Sequence, residues 1–184
     1  EAVDALIDTL EKGAYTFWEE SEAKRRTHTL LIRNKAEFDR YYTIGSHRLY
    51  FTLLPLIREV QDTEIAPFVE GERMVKMLQG DPELLPLAEQ CRRPLALLTI
   101  KKAVERLPIE VIPDGIVQVQ QMGSIKEKLR AEKEARRQVA ESLDRDAARY
   151  LQNLQDTIAQ MDNDPTNDDL YISQATLQSK GITF

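Results

Sequence analysis

Histidine and cysteine, the side chains that most often hold metals or attack substrates, are scarce in this chain of 184 residues, which has two histidines and one cysteine. One cysteine cannot form an internal disulfide. Cys91 lies in a helical pattern of apolar residues, which predicts a buried structural thiol rather than a nucleophile. His28 and His47 have no further ligand-type residues at metal-binding spacing, so the sequence predicts no zinc or iron site.

Glycine is also scarce, and its seven positions are scattered. The phosphate loops of nucleotide-binding enzymes and the nucleophile elbow of hydrolases need glycines at fixed spacings, and neither pattern occurs. Acidic residues number 31, so neighbouring carboxylates are expected by chance and none is singled out for acid–base chemistry. We therefore expect a protein that is not an enzyme and that needs no cofactor.

Long apolar runs and an excess of positive charge are missing as well. The longest apolar run, residues 95–98 with 100 beyond it, is far shorter than the ~20 residues that cross a bilayer, and no signal peptide is visible, so no membrane partner is expected. The net charge of -6 argues against wholesale nucleic-acid binding.

One stretch is locally basic despite the net negative charge. It holds Lys24, Arg25, Arg26, Arg33, Lys35, Arg40 and Arg48 against two acids, Glu37 and Asp39. The simplest interpretation is a solvated helix face. The alternative is a surface that faces DNA, with Lys24, Arg25 and Arg26 at its start.

Hydrophobic periodicity predicts a mainly α protein, a helical bundle. Helices are expected over residues 1–22 (with a weak point at Gly13), from an N-cap at Asn34 to a stop and restart at Gly45-Ser46, over 49–60 as the central core helix, and over 64–78 and 83–107. Pro55 and Pro94 are expected to bend their helices. Residues 27–33 form either a strand or a link. The aromatic cluster of Tyr15, Phe17, Trp18, Phe38, Tyr41 and Tyr42 is expected in the core, with base stacking as the alternative.

A turn signal, Pro113-Asp114-Gly115, stands between two β-rich runs and predicts one β-hairpin at about residues 108–120. A lone hairpin is marginal in water, so it must pack on the helices or pair with another strand, including one from a neighbouring subunit.

A long helix is predicted over residues 124–161, and its second half carries a regular apolar seam: Leu143, Ala147, Tyr150, Leu154, Ile158 and Met161. The seam packs either on the protein's own core or on another subunit. A polar linker follows, and then a short tail with β-type residues that include Tyr171 and Ile172. The predicted domains are one helical domain with a hairpin arm, residues 1–161, and a linker with a C-terminal tail, residues 162–184.

Several stretches between Phe38 and Leu154 share a pattern of spacings and aromatic residues: 38–51 (FDRYYTIGSHRLYF), 54–57 (LPLI), 91–96 (CRRPLA) and the hairpin with its turn, followed by the long charged helix and the tail. Together they resemble a family of uncharacterised proteins encoded in the structural gene clusters of Bacteroidetes phages and prophages. That family looks like the head-completion or head–tail connector proteins that tailed phages stack beneath the portal. The pattern does not extend to residues 1–33.

The resemblance implies a virion structural protein that assembles in the bacterial cytoplasm, with no catalytic residues. Its expected partners are copies of itself, in a ring or another homo-oligomer, and portal or neighbouring neck proteins, with a further contact to packaged DNA through Lys24, Arg25 and Arg26. The expected assembly contacts are Pro113, Asp114, Gly115, Tyr150, Leu154, Tyr171 and Ile172. The alternative is a cytoplasmic helical adaptor that binds a partner helix through the seam. An enzyme with a nonstandard site would need a deep pocket holding perturbed acids or a histidine.

Overall fold

The computed structural model describes residues 2–13, 15–69, 71–107, 109–112, 115–118 and 126–163, and within 109–132 it describes the backbone alone. The protein is mainly helical, as the sequence predicts. Its elements are α1 (Ala2–Gly13), α2 (Thr16–Glu19), α3 (Glu22–Arg25), α4 (Lys35–Asp39), α5 (His47–Val60), α6 (Gly71–Gln79), α7 (Leu85–Arg106), β1 (Ile109–Ile112), β2 (Gly115–Gln118) and α8 (Lys126–Asp162), with a π-helical turn at Gln61–Ile65 and a 3-10 turn at Pro82–Leu84.

The N-terminal stretch forms three helices: the helix predicted over residues 1–22 is interrupted at Gly13, its predicted weak point, and again at Ser21, where no break was predicted. The chain leaves helical geometry after Gly13, where a Cβ would clash with the ring of Tyr15, and Tyr15 itself is extended. A second break follows at Ser21, whose hydroxyl accepts a hydrogen bond from the Lys24 N–H and caps α3. Local side-chain and backbone geometry thus outweighs the helical spacing of the apolar residues.

Two predicted helix starts are set by side-chain caps. The Asn34 side chain accepts from the Glu37 N–H at 2.8 Å, which confirms the predicted N-cap of α4. The Glu37 carboxylate in turn accepts from the Arg33 N–H at 2.7 Å, so two backbone donors at this end are satisfied. Ser46 caps α5 through the Leu49 N–H.

The link at residues 27–33 crosses the protein interior without joining a sheet. Its three apolar residues, Leu30, Leu31 and Ile32, are almost fully buried. Side chains of α5 and of the turn after it form hydrogen bonds with the backbone of the link. The Gln61 side chain accepts one from the Leu31 N–H at 2.8 Å, and the Tyr50 hydroxyl donates one to the Ile32 carbonyl at 3.1 Å. Buried backbone groups need partners, and here side chains take the place of a neighbouring strand.

The core lies where α5 and α8 pack on α7. Helix α7 is buried on nearly every side from Pro94 to Ile100 because other elements cover it all around. Both α5 and α7 continue as α-helix through Pro55 and Pro94. Helix α8 runs antiparallel to α7, as the pairs Lys101–Asp144 and Arg93–Tyr150 show. The structure therefore has a central helix with a long partner alongside it.

The two strands are antiparallel neighbours that follow directly after α7. Their register pairs Val111 with Ile116 and Ile112 with Gly115. They form a two-stranded sheet with no third strand among the described residues. The turn residues Pro113 and Asp114, and the tail with Tyr171 and Ile172, lie outside the described residues.

Candidate functional site

In the part of the chain that the structure describes, few side chains are placed to bind a metal ion or to act as a nucleophile. No group of three or more His, Cys, Asp or Glu residues could hold a metal ion within those ranges. Cys91 is fully buried, as predicted, and burial raises the pKa of its thiol to about 12. A thiol in that environment stays protonated and shielded from reagents. None of the helices described is long and apolar enough to cross a membrane.

The basic stretch does not form one continuous positive surface. The Lys24 ammonium lies 2.7 Å from a Glu11 oxygen and 3.8 Å from Glu19, and only 11% of the Lys24 side chain is exposed. Lys24 is therefore poorly placed to contact DNA, contrary to the prediction, because its charge is paired with carboxylates from α1 and α2. Arg26 pairs with Glu22, and both are well exposed. Arg25 is exposed and makes no ion pair with any residue that the structure describes.

The apolar seam of α8 belongs to the protein's own core. Leu143, Ala147, Leu154 and Ile158 are all buried, which confirms the first of the two interpretations of the seam. Leu154 is 0% exposed within a single chain, so it is corrected from an assembly contact to a core residue. Sequence spacing could not decide this because a seam facing α7 and a seam facing another subunit have the same period.

Tyr150 lies at the edge of that core, partly buried. The Arg93 guanidinium lies 5.0 Å from the centre of the Tyr150 ring and donates to its hydroxyl at 3.1 Å, while the Arg149 guanidinium lies 5.3 Å from the ring centre. Both contacts are within cation–π range. Contacts inside the chain thus already occupy Tyr150, and they tie α8 to α7.

An arm extends past the end of α7. Within the described side chains, the first contact from α8 to α7 and the segment directly after it is made by Arg136, which donates to the Leu107 carbonyl at 3.4 Å. Ten residues of α8, 126–135, precede that contact and span about 15 Å at 1.5 Å per residue. Strands β1 and β2 leave from the same end of α7. We call residues 109–118 and 126–135 the arm.

The base of the arm is held by a charged network at the ends of α5 and α7. Glu59 accepts from Arg106 at 2.7 Å and from Lys102 at 2.8 Å, and Lys102 also lies 3.6 Å from Glu64. Hydrogen bonds from Arg106 and then Lys102 lower the pKa of Glu59 to about 2. Glu59 therefore stays ionised throughout the neutral range. The network fixes the last turn of α7, from which the arm begins.

At the opposite end of α5, helix α1 is attached mainly through polar groups. The His47 N–H donates to Asp4 at 2.6 Å, and the His47 ring nitrogen Nε2 lies 2.8 Å from an Asp8 oxygen. Glu11 accepts from Lys24 and from the Trp18 ring N–H. Ile7 is the one buried apolar residue of this helix. Both the Asp4 and the Asp8 carboxyl groups have a lowered pKa; hydrogen bonds from His47 contribute to the lowering.

The outer face of α1 is apolar, which the sequence analysis missed. Leu6 is 59% exposed and Val3 is similarly exposed, and beyond the end of the helix Phe17 is 66% exposed and stacks with the exposed Tyr15 ring at 5.6 Å. The prediction that Tyr15 and Phe17 lie in the core is wrong, whereas Phe38 is fully buried, as predicted. We call Val3, Leu6, Tyr15 and Phe17 the α1 face. The available signal was that apolar residues occur on both sides of α1.

Comparison of the chain with protein-family models, with curated proteins and with solved structures gave no match. What the fold and the surfaces define is a class of architecture: a helical bundle with an arm that follows α7 and an exposed apolar face on and after α1.

Proposed function

We propose that this protein is a non-enzymatic structural protein that works by assembly, and that it serves as a head–tail connector or neck-ring component of a tailed phage or prophage. The observation that carries the proposal is the arm. The backbone of α8 has ten residues, 126–135, before Arg136, which is the first of its described side chains to contact the segment after α7, and a two-stranded sheet follows the same end of α7.

The physics of the arm favours a partner for it. A two-stranded hairpin is at best marginally stable alone in water, and a short helical extension gains most of its stability from packing. The strands are rich in Ile and Val, and Glu110 is their only charged residue. The network of Glu59, Lys102 and Arg106 holds the arm on a fixed base, which is suited to presenting it to another molecule.

The resemblance of residues 38–154 to phage structural-cluster proteins supports the particular role. In this role the chain binds copies of itself and a portal or neighbouring neck protein. It is located in the virion. The hairpin turn (Pro113, Asp114, Gly115) and the tail (Tyr171, Ile172) serve as contacts in this proposal. The competing proposal of a helical adaptor relied on the α8 seam, and the burial of Leu154 and its neighbours leaves that seam unavailable to a partner.

The decisive experiment mixes the full chain with the portal protein encoded by the same genome and follows co-elution by size-exclusion chromatography with light scattering. We expect a complex with a fixed number of copies of this chain per portal ring. A matched chain that ends at Asp162 keeps α8 but lacks the tail, and it should lose the complex or bind far more weakly. Failure of the full chain to co-elute would contradict the connector role.

A DNA contact in the central channel is a separate part of the proposal. Arg25 and Arg26 are exposed, so reversing both to Glu should reduce DNA retention in particles without unfolding the protein. The matched control is reversal of Arg145 to Glu, which is also exposed and lies on α8 outside the arm. Unchanged DNA retention and phage yield in the Arg25→Glu, Arg26→Glu variant would contradict a DNA-facing role for this surface.

A further inference from the structure

Helix α1 is attached to the protein outside its hydrophobic core. Ile7 is the one buried residue of α1, and the described residues of the core begin only at Leu30 in the chain. Val3 and Leu6 face solvent, with 52% and 59% of each residue exposed. Packing of apolar side chains supplies most of the force that holds a helix on its neighbours in water, and α1 has little of it.

The inward side of α1 carries three carboxylates where most surface helices carry an apolar stripe. Asp4, Asp8 and Glu11 share one face of the helix because they are spaced by four and three residues. The His47 N–H donates to Asp4 at 2.6 Å, the His47 ring nitrogen Nε2 lies 2.8 Å from Asp8, and Lys24 donates to Glu11 at 2.7 Å. Water can replace each of these hydrogen bonds when the helix leaves, so they hold α1 less firmly than apolar packing would.

The chain has a break in its regular structure directly after α1. It leaves helical geometry after Gly13 and is extended at Tyr15. Hinges in proteins lie at such element ends, where a few residues absorb the change in backbone angles. Glu11 bonds to the segment that follows this break, whereas Asp4 and Asp8 bond to α5. The contacts with α5 are therefore the ones that a movement about the hinge separates most.

We propose that α1 is a strap that opens as a unit about the hinge at Gly13 and Tyr15 while the helices around α7 stay folded, and that the contact of Asp8 with His47 holds it closed. Opening uncovers the His47 side chain, which is 7% exposed in the closed form. A helix of twelve residues is marginal alone in water, so the open α1 also loses its helical hydrogen bonds. This inference does not depend on the proposed function.

Hydrogen exchange of the full chain at neutral pH, followed residue by residue by NMR, measures the opening. An amide hydrogen that is bonded within a helix exchanges only when that helix opens, so its rate reports the fraction of open molecules. We expect the amides of residues 6–13 to exchange at similar protection from one another, and roughly a hundredfold or more faster than the buried amides of α7.

Two alanine variants separate the contact with α5 from the strength of the helix itself. Alanine favours helix more than aspartate or threonine does, so Asp8→Ala and Thr9→Ala both strengthen α1 as a helix. Asp8 bonds to His47, whereas Thr9 is exposed and its hydroxyl donates to the Ala5 carbonyl within α1. Asp8→Ala should speed exchange in α1 by roughly tenfold, the effect of losing one hydrogen bond to a charged group. Thr9→Ala, the matched control, should leave the rate unchanged or slow it.

His47→Ala tests the same contact from the side of α5. This variant removes the imidazole and keeps the backbone N–H that donates to Asp4. Because Asp8 and His47 act on each other, the double variant Asp8→Ala, His47→Ala should exchange no faster in α1 than the faster of the two single variants.

Four results would overturn the inference. Amides of α1 that exchange as slowly as those of α7 would show that α1 opens only with the whole protein. Protection that rises steadily from residue 6 to residue 13 would show fraying from the end of the helix. Wild-type exchange in Asp8→Ala, or the same acceleration in Thr9→Ala, would show that the contact with His47 does not hold α1. Accelerations that multiply in the double variant would show that Asp8 and His47 act separately.

Discussion

Truncation of Leu154 to alanine separates the two roles considered for the α8 seam. Leu154 is 0% exposed and belongs to the core that α8 forms with α7. Removing a fully buried leucine side chain costs its transfer free energy and leaves a cavity, together about 2–5 kcal/mol. With a urea dependence of about 2 kcal/mol per molar, a loss of 3 kcal/mol lowers the unfolding midpoint by about 1.5 M.

The matched control for that variant is Leu6→Ala, which shortens the same residue type at a position 59% exposed. Its effect on stability should stay within about 0.5 kcal/mol, the usual range for surface substitutions. Both variants are measured by urea unfolding followed by circular dichroism at low protein concentration, where assembly does not contribute. A stable Leu154→Ala protein that has lost only its ability to assemble would refute the placement of the seam in the core.

Three further results are expected from the interior and the charged network. Gln61→Leu removes two side-chain hydrogen bonds to the buried link, one with the Leu31 N–H and one with the Thr29 carbonyl. It should lower the free energy of unfolding by about 3 kcal/mol in urea unfolding, and a change below ~0.5 kcal/mol would contradict that role. Because Arg106 and then Lys102 lower the pKa of Glu59 to about 2, this carboxylate stabilises the fold fully above its ordinary value of 4.5 and progressively less as the pH falls towards 2. As the pH falls from 4.5 towards 2, the midpoint temperature of thermal unfolding should therefore decrease more steeply for the wild type than for Glu59→Gln. Parallel curves of midpoint temperature against pH would argue against the network. Cys91 should react with a thiol reagent only after denaturant is added, and rapid labelling of the folded protein would show that the site is open.

Helix starts were the most predictable features because their causes are local. Asn34 caps α4 through Glu37, three residues away, and Ser46 caps α5 in the same manner. The seam of α8 was visible from spacing alone, although its partner was not. In each of these cases the residues that determine the structure lie within one or two turns of one another.

The path of the link at residues 27–33 was not predictable because its partners are distant in sequence. Gln61 lies 30 residues from Leu31, and Arg92, which donates to the Leu31 carbonyl, lies 61 residues away. The same holds for Lys24, whose charge is taken up by Glu11, 13 residues earlier. A count of charges along the sequence cannot show which of them are already paired in the fold.

The two candidate surfaces, the arm and the α1 face, also differ in whether local sequence determines them. The two strands of the arm fall within two β-rich runs of the sequence, and its helical part belongs to a helical pattern longer than that of α7. The α1 face is exposed because the opposite side of α1 packs against α5. The hydrogen bonds of Asp4 and Asp8 with His47, about 40 residues away in sequence, orient the helix in this way. Apolar residues on both sides of a helix predict burial, and only the structure shows which side is left exposed.

Native mass spectrometry of the full wild-type chain, over a series of concentrations, tests the central claim most directly. The account predicts that single chains give way to one closed oligomer of fixed copy number as the concentration rises, because identical head-to-tail contacts end only when a ring closes. A strictly monomeric chain at every concentration would contradict the claim that this protein works by assembling with itself.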